Sequence, residues 1–250
     1  MRLSRRSRII ASRDVTCKKS GINKRKLIAG CIILTALLMA CAFILWQNPF
    51  WYNQATKDTD YSQDTSAQFD IEPLISRTDA DDDGIDDQTD ILQSAREYLA
   101  TGPKYKSKYY DGGYPDDGYG VCTDVVAFAC RGAGYDLKEL LAEDVAAAPD
   151  AYEIETPDSN IDFRRVDNLN VYFSRHAQSL TTDLNDIKSW QGGDIVVFGT
   201  HVAIVSDKRN SRGIPYILHL VSPAQRAYEQ DGMEHWEKKA GIMGHYRMGE

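Results

Sequence analysis

The chain has little cysteine, and only two of its cysteines lie beyond residue 46. The five are Cys17, Cys31, Cys41, Cys122 and Cys130. If Cys122 and Cys130 lie on one helix, eight residues of helical rise separate them by about 12 Å, too far for a disulfide. The spacing therefore leaves Cys122 as a lone thiol, while Cys130 suits a small buried apolar position.

Nucleotide-binding motifs and the common zinc spacings are also missing. The sequence has no GxxxxGK[ST] or GxGxxG, and no HxxH or HExxH. These absences leave nucleotide use without support. A zinc site built from Cys122, His201 and His219 is a weak alternative to a reactive thiol.

Basic charge is scarce after the first 26 residues. Residues 1–26 carry a net charge of +9, and residues 27–46 carry no charge. Because the whole chain carries −8, the net charge of residues 47–250 is −17. A surface this acidic repels phosphate backbones. The charge distribution therefore argues against nucleic acid as a partner.

A long apolar run follows the basic segment. The twenty residues Leu27–Trp46 would span roughly 30 Å as a helix, the thickness of a bilayer core. Basic residues before it and an aromatic belt after it predict a single-pass cell-membrane anchor with a cytoplasmic N-terminus. A cleaved signal peptide and a lipoprotein signal ending at Cys41 are the alternatives. All three place residues 53–250 outside the cytoplasmic membrane, where unpaired cysteines are unusual.

The composition divides the chain into four parts. Residues 1–26 are predicted to be a basic cytoplasmic segment, residues 27–46 the transmembrane anchor, and residues 47–78 a polar extracytoplasmic linker. Residues 79–250 are predicted to form the folded domain, which begins with an acidic loop.

The acidic loop has the spacing of a calcium site. Carboxylates occupy loop positions 1, 3, 5, 9 and 12, and Gly84 occupies position 6. The last ligand is Asp instead of Glu, the apolar residue falls one position early, and no clear helix precedes the loop. We predict a structural Ca²⁺ that catalysis does not require; the alternative is a solvated helix N-terminus. The predicted ligands are Asp79, Asp81, Asp83, Asp87 and Asp90.

Cys122 falls where a Gly-rich loop becomes an apolar helical run, Gly118–Gly134. The free N–H groups and the positive end of a helix dipole lie there, and both favour a thiolate. Thr123 or Asp124 would cap the first turn. This position predicts a reactive thiol, although a buried cysteine at a helix start is the commoner situation.

Helices precede a set of antiparallel strands, which predicts an α+β fold. His201 begins the predicted strand His201–Ser206, and His219 lies on the return strand Tyr216–Val221. A tight hairpin would bring the two histidines within a few residues of register. A thiol, a base and an orienting group are what a cysteine hydrolase needs. Each histidine alone would more often be a structural residue, and we expect this of His245.

Five blocks together resemble the bacterial domain-of-unknown-function family 1287 over residues 85–248. That family is similar to papain-like cysteine hydrolases near the NlpC/p60 and CHAP groups, which cut peptidoglycan peptides. The resemblance implies a papain-like fold with the nucleophile helix packed on an antiparallel sheet. The blocks are 121–126, 157–169, 193–197, 201–207 and 244–247.

The resemblance also implies roles for individual residues. Cys122 would be the nucleophile, His201 the base, His219 the orienting residue, and Tyr110 (or Tyr109) the tyrosine of the oxyanion region. A further polar set would bind substrate or brace the site: Asp124, Asp158, Asn160 and Arg164. The local sequence Val-Cys-Thr-Asp departs from the Asp-Cys-Ser-Gly that is usual in NlpC/p60 enzymes.

We therefore expect a membrane-anchored, extracytoplasmic cysteine peptidase or amidase that acts on cell-wall peptide bonds. One alternative is a non-catalytic module that keeps the fold and binds wall peptide or a protein. Another is a calcium-stabilised extracellular domain in which the acidic loop is the functional element.

Overall fold

The computed structural model describes residues 33–35, 37, 39, 65–225 and 227–249. The chain forms two compact units, Met1–Asn48 and Pro49–Glu250. The basic segment 1–26 and nearly all of the predicted anchor lie outside the described residues. Within the described residues, we find no helix with the length and apolar character needed to span a bilayer. The rest of the description concerns the second unit.

In the described part of the second unit, five α-helices and three short 3₁₀ turns precede and interrupt the strands. The helices are α1 (Asp87–Ala100), α2 (Cys122–Gly132), α3 (Leu137–Ala147), α4 (Val166–His176) and α5 (Met233–Ala240). The 3₁₀ turns are Ser66–Phe69, Pro149–Ala151 and Asp162–Arg164.

The first helix shows how the local sequence sets its bounds. Asp86 caps α1 by accepting the Thr89 N–H and the Thr89 hydroxyl, the latter at 2.6 Å. Ile91, Ala95 and Leu99 follow at helical spacing and are fully buried. The apolar face of α1 therefore packs on the core.

A six-stranded antiparallel sheet forms the second half of the domain, in the order β3-β8-β4-β5-β6-β7. This architecture confirms the α+β prediction. A separate two-stranded parallel sheet joins β1 and β2. The strands are β1 (Lys104–Tyr105), β2 (Tyr119–Gly120), β3 (Gln178–Ser179), β4 (Ile195–Phe198), β5 (His201–Arg209), β6 (Pro215–Leu218), β7 (Glu229–Gln230) and β8 (Ile242–Arg247).

The two faces of the sheet belong to different cores. Val202 and Ile204 of β5 face the larger core, which is built with α1 to α4. Ala203 and Val205 face the smaller core, which includes Trp236 of α5. Because side chains alternate along a strand, His201 shares the face of Ala203 and lies on the α5 side.

Part of the predicted linker is packed on the domain. The Thr65 hydroxyl accepts the Arg209 N–H at 2.6 Å, and the Ser66 hydroxyl donates to the Asp207 carbonyl at 3.0 Å. Ile71 is also buried. The folded unit thus includes residues from 65 onward, earlier than the boundary at residue 79 that polar composition suggested.

Candidate active site

Cys122 is the first residue of α2, as its place in the sequence predicts. The preceding Val121 cannot cap the helix with its side chain. Instead, the Asp124 carboxylate reaches back and accepts the Val121 N–H at 2.7 Å. Asp124 therefore fixes the turn that presents the sulfur.

Asp124 forms a buried ion pair with Arg164. The Arg164 Nε lies 2.6 Å from Asp124 Oδ1, and its Nη2 lies 2.9 Å from Oδ2. Arg164 also donates to the Lys108 carbonyl, while the Thr123 hydroxyl donates to the Arg164 carbonyl. Burial raises the pKa of Asp124, and the guanidinium opposes this. Of the two roles predicted for these residues, binding substrate or bracing the site, the second fits this geometry, because their polar atoms are occupied by each other and by nearby backbone groups.

Burial raises the pKa of the Cys122 thiol to about 11. The N–H groups of Val202, Thr123 and Cys122 itself act in the opposite direction, and the Asp124 charge adds to the rise. The helix start was expected to favour a thiolate, but desolvation of the sulfur outweighs it here. At neutral pH Cys122 is therefore a thiol.

A hydrogen-bonded chain of three side chains, which we call the relay cluster, crosses the sheet from β5 to β7. His201 Nε2 lies 2.8 Å from His219 Nδ1, and His219 Nε2 lies 2.7 Å from Gln230 Oε1. Ile204 pairs with Leu218, and Ile217 pairs with Gln230, which sets the three groups diagonally on one face. The two histidines that sequence spacing brought near register are thus in direct contact.

Trp236 of α5 covers the relay cluster. Its ring stacks on His201 at 4.1 Å with an 18° interplanar angle, and it meets His219 edge-on at 6.4 Å. Burial lowers the pKa of His201 well below its usual range, with His219 and Lys239 adding to the effect. Burial also lowers the pKa of His219 to about 4. Both imidazoles are therefore neutral at physiological pH.

The sulfur of Cys122 meets the sheet at the start of β5. The Val202 N–H that acts on the sulfur belongs to the residue directly after His201. The hydrogen bonds of the described residues do not include one between the Cys122 and His201 side chains. The structure thus brings Cys122 to the backbone beside His201, while the His201 ring lies under Trp236.

The predicted oxyanion tyrosine has another partner. The Tyr110 hydroxyl donates to Asp117 Oδ1 at 2.7 Å, and burial together with this bond raises the Tyr110 pKa to about 12. The Arg164 guanidinium lies 5.1 Å from the centre of its ring. Sequence reasoning missed Tyr98, whose buried hydroxyl lies against Gly120 and has no hydrogen-bond partner among the described residues.

The other two predicted substrate-binding residues form a surface cluster with Tyr109. The Tyr109 hydroxyl donates to Asp158 Oδ2 at 3.0 Å, and Asn160 Nδ2 donates to the Tyr109 oxygen at 3.3 Å. Tyr109 is 54% exposed. These polar groups are open to solvent, unlike Asp124 and Arg164.

A family model described as a domain of unknown function, DUF1287, matches residues 92–248. The chain belongs to this family. It is also similar to the uncharacterized protein YijF of Escherichia coli strain K12, with 37% identity over 170 residues. That stretch covers 63% of this chain and 80% of the relative. No solved structure matches the chain.

The region matched to DUF1287 contains a third buried histidine, His245 of β8, which lies on the same face of the sheet as His201 but nearer the opposite edge. His245 Nε2 lies 2.9 Å from Asp194 Oδ2, and His245 Nδ1 lies 2.7 Å from the Thr181 carbonyl. Arg247 also binds Asp194, with its Nε 2.8 Å from Oδ1. We call His245, Asp194 and Arg247 the Asp194 cluster. Both ring nitrogens of His245 are occupied, which fits the structural role expected of it.

The acidic loop precedes the region matched to DUF1287, and only part of the predicted ligand set converges. Asp79, Asp81 and Asp83 have carboxylate oxygens within 4.8 Å of one another. Asp87 is engaged elsewhere: its Oδ1 accepts the Ala80 N–H at 2.8 Å, and its Oδ2 accepts the Tyr135 hydroxyl at 2.5 Å. Asp87 therefore holds the loop in shape. Neither Asp87 nor Asp90 belongs to the converging three, and their assignment as ligands stays a prediction.

Two members of the candidate site carried no usable sequence signal. Gln230 lies on a two-residue strand, too short to show a period. Trp236 lies on an eight-residue polar helix that follows β7. Only the three-dimensional pairing of β6 with β7 and the packing of α5 bring these residues to the histidines.

Proposed function

We propose that this DUF1287 chain is a cysteine peptidase or amidase with a papain-like arrangement of its catalytic groups. The observation that carries the proposal is the relay cluster, which ends one residue from the N–H that faces the Cys122 sulfur. A thiol at a helix start, an imidazole and an aligned polar chain are the parts that acyl transfer requires.

The far end of the relay cluster sets the protonation of its rings. Because Gln230 Oε1 accepts a hydrogen bond, His219 Nε2 carries a proton and His219 Nδ1 is an acceptor. His201 Nε2 must then donate, which leaves the lone pair on His201 Nδ1. Gln230 and His219 thus prepare His201 to act as a base through Nδ1.

The proposed reaction begins from a neutral thiol and a neutral imidazole. The His201 ring stacks on Trp236 on the α5 face of β5, so the proposed reaction requires its Nδ1 to reach round the start of β5 to the sulfur on the α2 face. There His201 Nδ1 takes the thiol proton as the Cys122 sulfur attacks the amide carbonyl. It then gives that proton to the leaving amine, and a thioester remains. Water attacks the thioester with His201 again as base, which releases the acid and restores the thiol. The Cys122 N–H at the helix start stabilises the oxyanion, and no metal takes part.

A cell-wall peptide is the substrate class we propose. The resemblance to NlpC/p60 and CHAP hydrolases supports it, as does the anchor predicted to hold the domain outside the membrane. The cluster of Tyr109, Asp158 and Asn160 offers a carboxylate, an amide and a hydroxyl to a polar peptide. We propose this surface as the substrate-facing part of the site.

Mass spectrometry of peptidoglycan peptides incubated with the full chain in detergent tests the proposal. We expect hydrolysis products from the wild type and from Cys130→Ala, which removes the other thiol of α2. Cys122→Ala should lower the rate by more than about 10³-fold, because the nucleophile is lost.

Equal turnover by Cys122→Ala would overturn the assignment of the nucleophile. If neither the wild type nor Cys130→Ala cuts any wall peptide while both bind it, the non-catalytic binding module replaces the enzyme.

A further inference from the structure

The two residues of β7 face opposite sides of the sheet. Gln230 pairs with Ile217, which belongs to the smaller core on the α5 side, and Glu229 pairs with Leu218, which belongs to the larger core. Directly opposed residues of an antiparallel pair share a face. Gln230 therefore joins the relay cluster on one face while Glu229 points to the other, and any shift of β7 moves both side chains together.

The backbone alone holds β7 weakly. In the described part of the chain, β6 is its only neighbour in the sheet, and the two strands are in register over two residue pairs. One further bond joins the His219 N–H to the Tyr228 carbonyl at 3.0 Å. Elements with so few bonds open more readily than the core does. The position of Gln230 therefore depends on what else anchors β7.

The Glu229 side chain provides that anchor. Its Oε1 accepts Arg96 Nη2 of α1 at 2.8 Å and the Ser206 hydroxyl of β5 at 2.5 Å. Lys208 Nζ lies 3.9 Å from its Oε2. The side chain is 0% exposed, and charge-assisted hydrogen bonds shielded in this way are strong. We call Glu229, Arg96 and Ser206 the Glu229 cluster, which ties β7 to α1 and to β5.

Arg96 also binds a carboxylate that does not belong to β7. Its Nη2 lies 2.5 Å from Asp207 Oδ1, and its Nη1 lies 3.2 Å from Asp207 Oδ2. Burial acts to lower the pKa of Arg96, but Asp207 and Glu229 together raise it above its ordinary value. The guanidinium is therefore a permanent cation. Asp207 lies on β5, so breaking its bond disturbs Arg96 without freeing β7.

We propose that Glu229 is a positioning residue for the relay cluster, because it fixes β7 so that Gln230 Oε1 stays bonded to His219 Nε2. Its effect on catalysis rests on the proposed function. Without this bond, His219 can carry its proton on Nδ1 and donate it to His201 Nε2. His201 Nδ1 is then protonated and cannot act as a base. Glu229 thus acts through two side chains and touches no substrate.

Turnover of wall peptide by the full chain in detergent tests this role. Glu229→Ala removes both bonds and should lower kcat roughly 10–100-fold with KM near that of the wild type, because a displacement of about 1 Å in a supporting group can cost about 10²-fold. Glu229→Gln keeps an oxygen that accepts both bonds and should restore most of kcat. Asp207→Asn disturbs the same guanidinium from β5 and should keep kcat near that of the wild type.

The imidazole N–H signals in the NMR spectrum of the full chain give a second readout that needs no activity. The His219 Nε2 proton, identified by its absence in His219→Gln, should exchange slowly with water in the wild type, Glu229→Gln and Asp207→Asn. In Glu229→Ala it should exchange much faster, because Gln230 no longer holds it. Ser206→Ala removes one of the two bonds and should show a smaller increase, which keeps the test available if Glu229→Ala does not fold.

Two results would overturn the inference. One is a His219 signal and a kcat that survive in Glu229→Ala. The other is an equal loss of both in Asp207→Asn, which would mean that Arg96 only stabilises the fold. If the wild type cuts no wall peptide but exchange of the His219 proton still depends on Glu229, the hydrolase proposal fails and the positioning of Gln230 stands.

Discussion

Two buried histidines lie on the same sheet, each against a tryptophan, yet their surroundings differ in kind. His201 stacks on Trp236, and its hydrogen-bonded partner is the neutral His219. His245 stacks on Trp190 at 3.8 Å, and its ring bonds both a carboxylate and a backbone carbonyl. One ring therefore keeps a nitrogen for chemistry, while the other has none left.

The imidazole proposed as the base and the imidazole expected to be structural differ in their partners, not in their burial. Both rings are nearly inaccessible, at 2% and 1% exposed. A neutral chain of side chains that ends in an amide fixes the tautomer of His201 and leaves a lone pair on one ring nitrogen. A ring held by a charged carboxylate at one nitrogen and a carbonyl at the other acts as a link between strands.

Replacing each histidine by glutamine gives the largest expected difference. His201→Gln should lower hydrolysis of wall peptide by about 10²–10⁴-fold, because general acid–base catalysis is lost. His245→Gln should keep the rate per folded molecule near that of the wild type. Turnover measured on matched concentrations of folded protein checks both. A loss of rate in His245→Gln alone would reverse the comparison.

Breaking the Asp194 cluster should lower the free energy of unfolding more than breaking the relay cluster does. Asp194→Ala removes the carboxylate that binds both His245 and Arg247, and it leaves a buried guanidinium without its partner. We expect the free energy of unfolding to fall by about 3–5 kcal/mol. Urea denaturation measures this fall. Gln230→Leu, at the end of the relay cluster, is the control and should cost less, because no charge is stranded.

The pH dependence of thiol alkylation is the subtlest test. Because burial raises the Cys122 pKa to about 11 and lowers that of His201, the pair is neutral at pH 7. Raising the pH converts more of the thiol into thiolate, so the iodoacetamide rate should climb about tenfold per pH unit from pH 6 to 9. Replacing the other four cysteines, Cys17, Cys31, Cys41 and Cys130, by alanine isolates the Cys122 signal. A rate that is flat across this range would mean a preformed thiolate–imidazolium pair.

Sequence reasoning placed the candidate thiol and imidazole on their helix and strand. It did not predict which side chains contact them. The helix start at Cys122 and the strand start at His201 follow from the glycine-containing turns that precede them. The α+β order follows from the spacing of apolar residues along the chain. Burial of the sulfur could not be read in this way, because it depends on how α2 meets β5. The same holds for Asp124 and Arg164, which are forty residues apart and find each other only in the folded chain.

Polar residues near a motif proved ambiguous for a physical reason. A carboxylate or guanidinium beside a nucleophile serves substrate when it faces solvent and serves the scaffold when it is buried. Asp158 lies at the surface, with its Tyr109 partner largely exposed, whereas Asp124 is buried. Composition does not reveal which, since exposure is a property of the packed structure.

The raised pKa of the Cys122 thiol has a consequence for the lifetime of the protein. A sulfur that keeps its proton at neutral pH reacts slowly with peroxide and exchanges slowly with disulfides, since both reactions proceed through the thiolate. In an oxidising compartment, such a residue would persist in its reduced form without a resolving cysteine beside it. Its reactivity would be released only when a carbonyl arrives together with a base to take the proton.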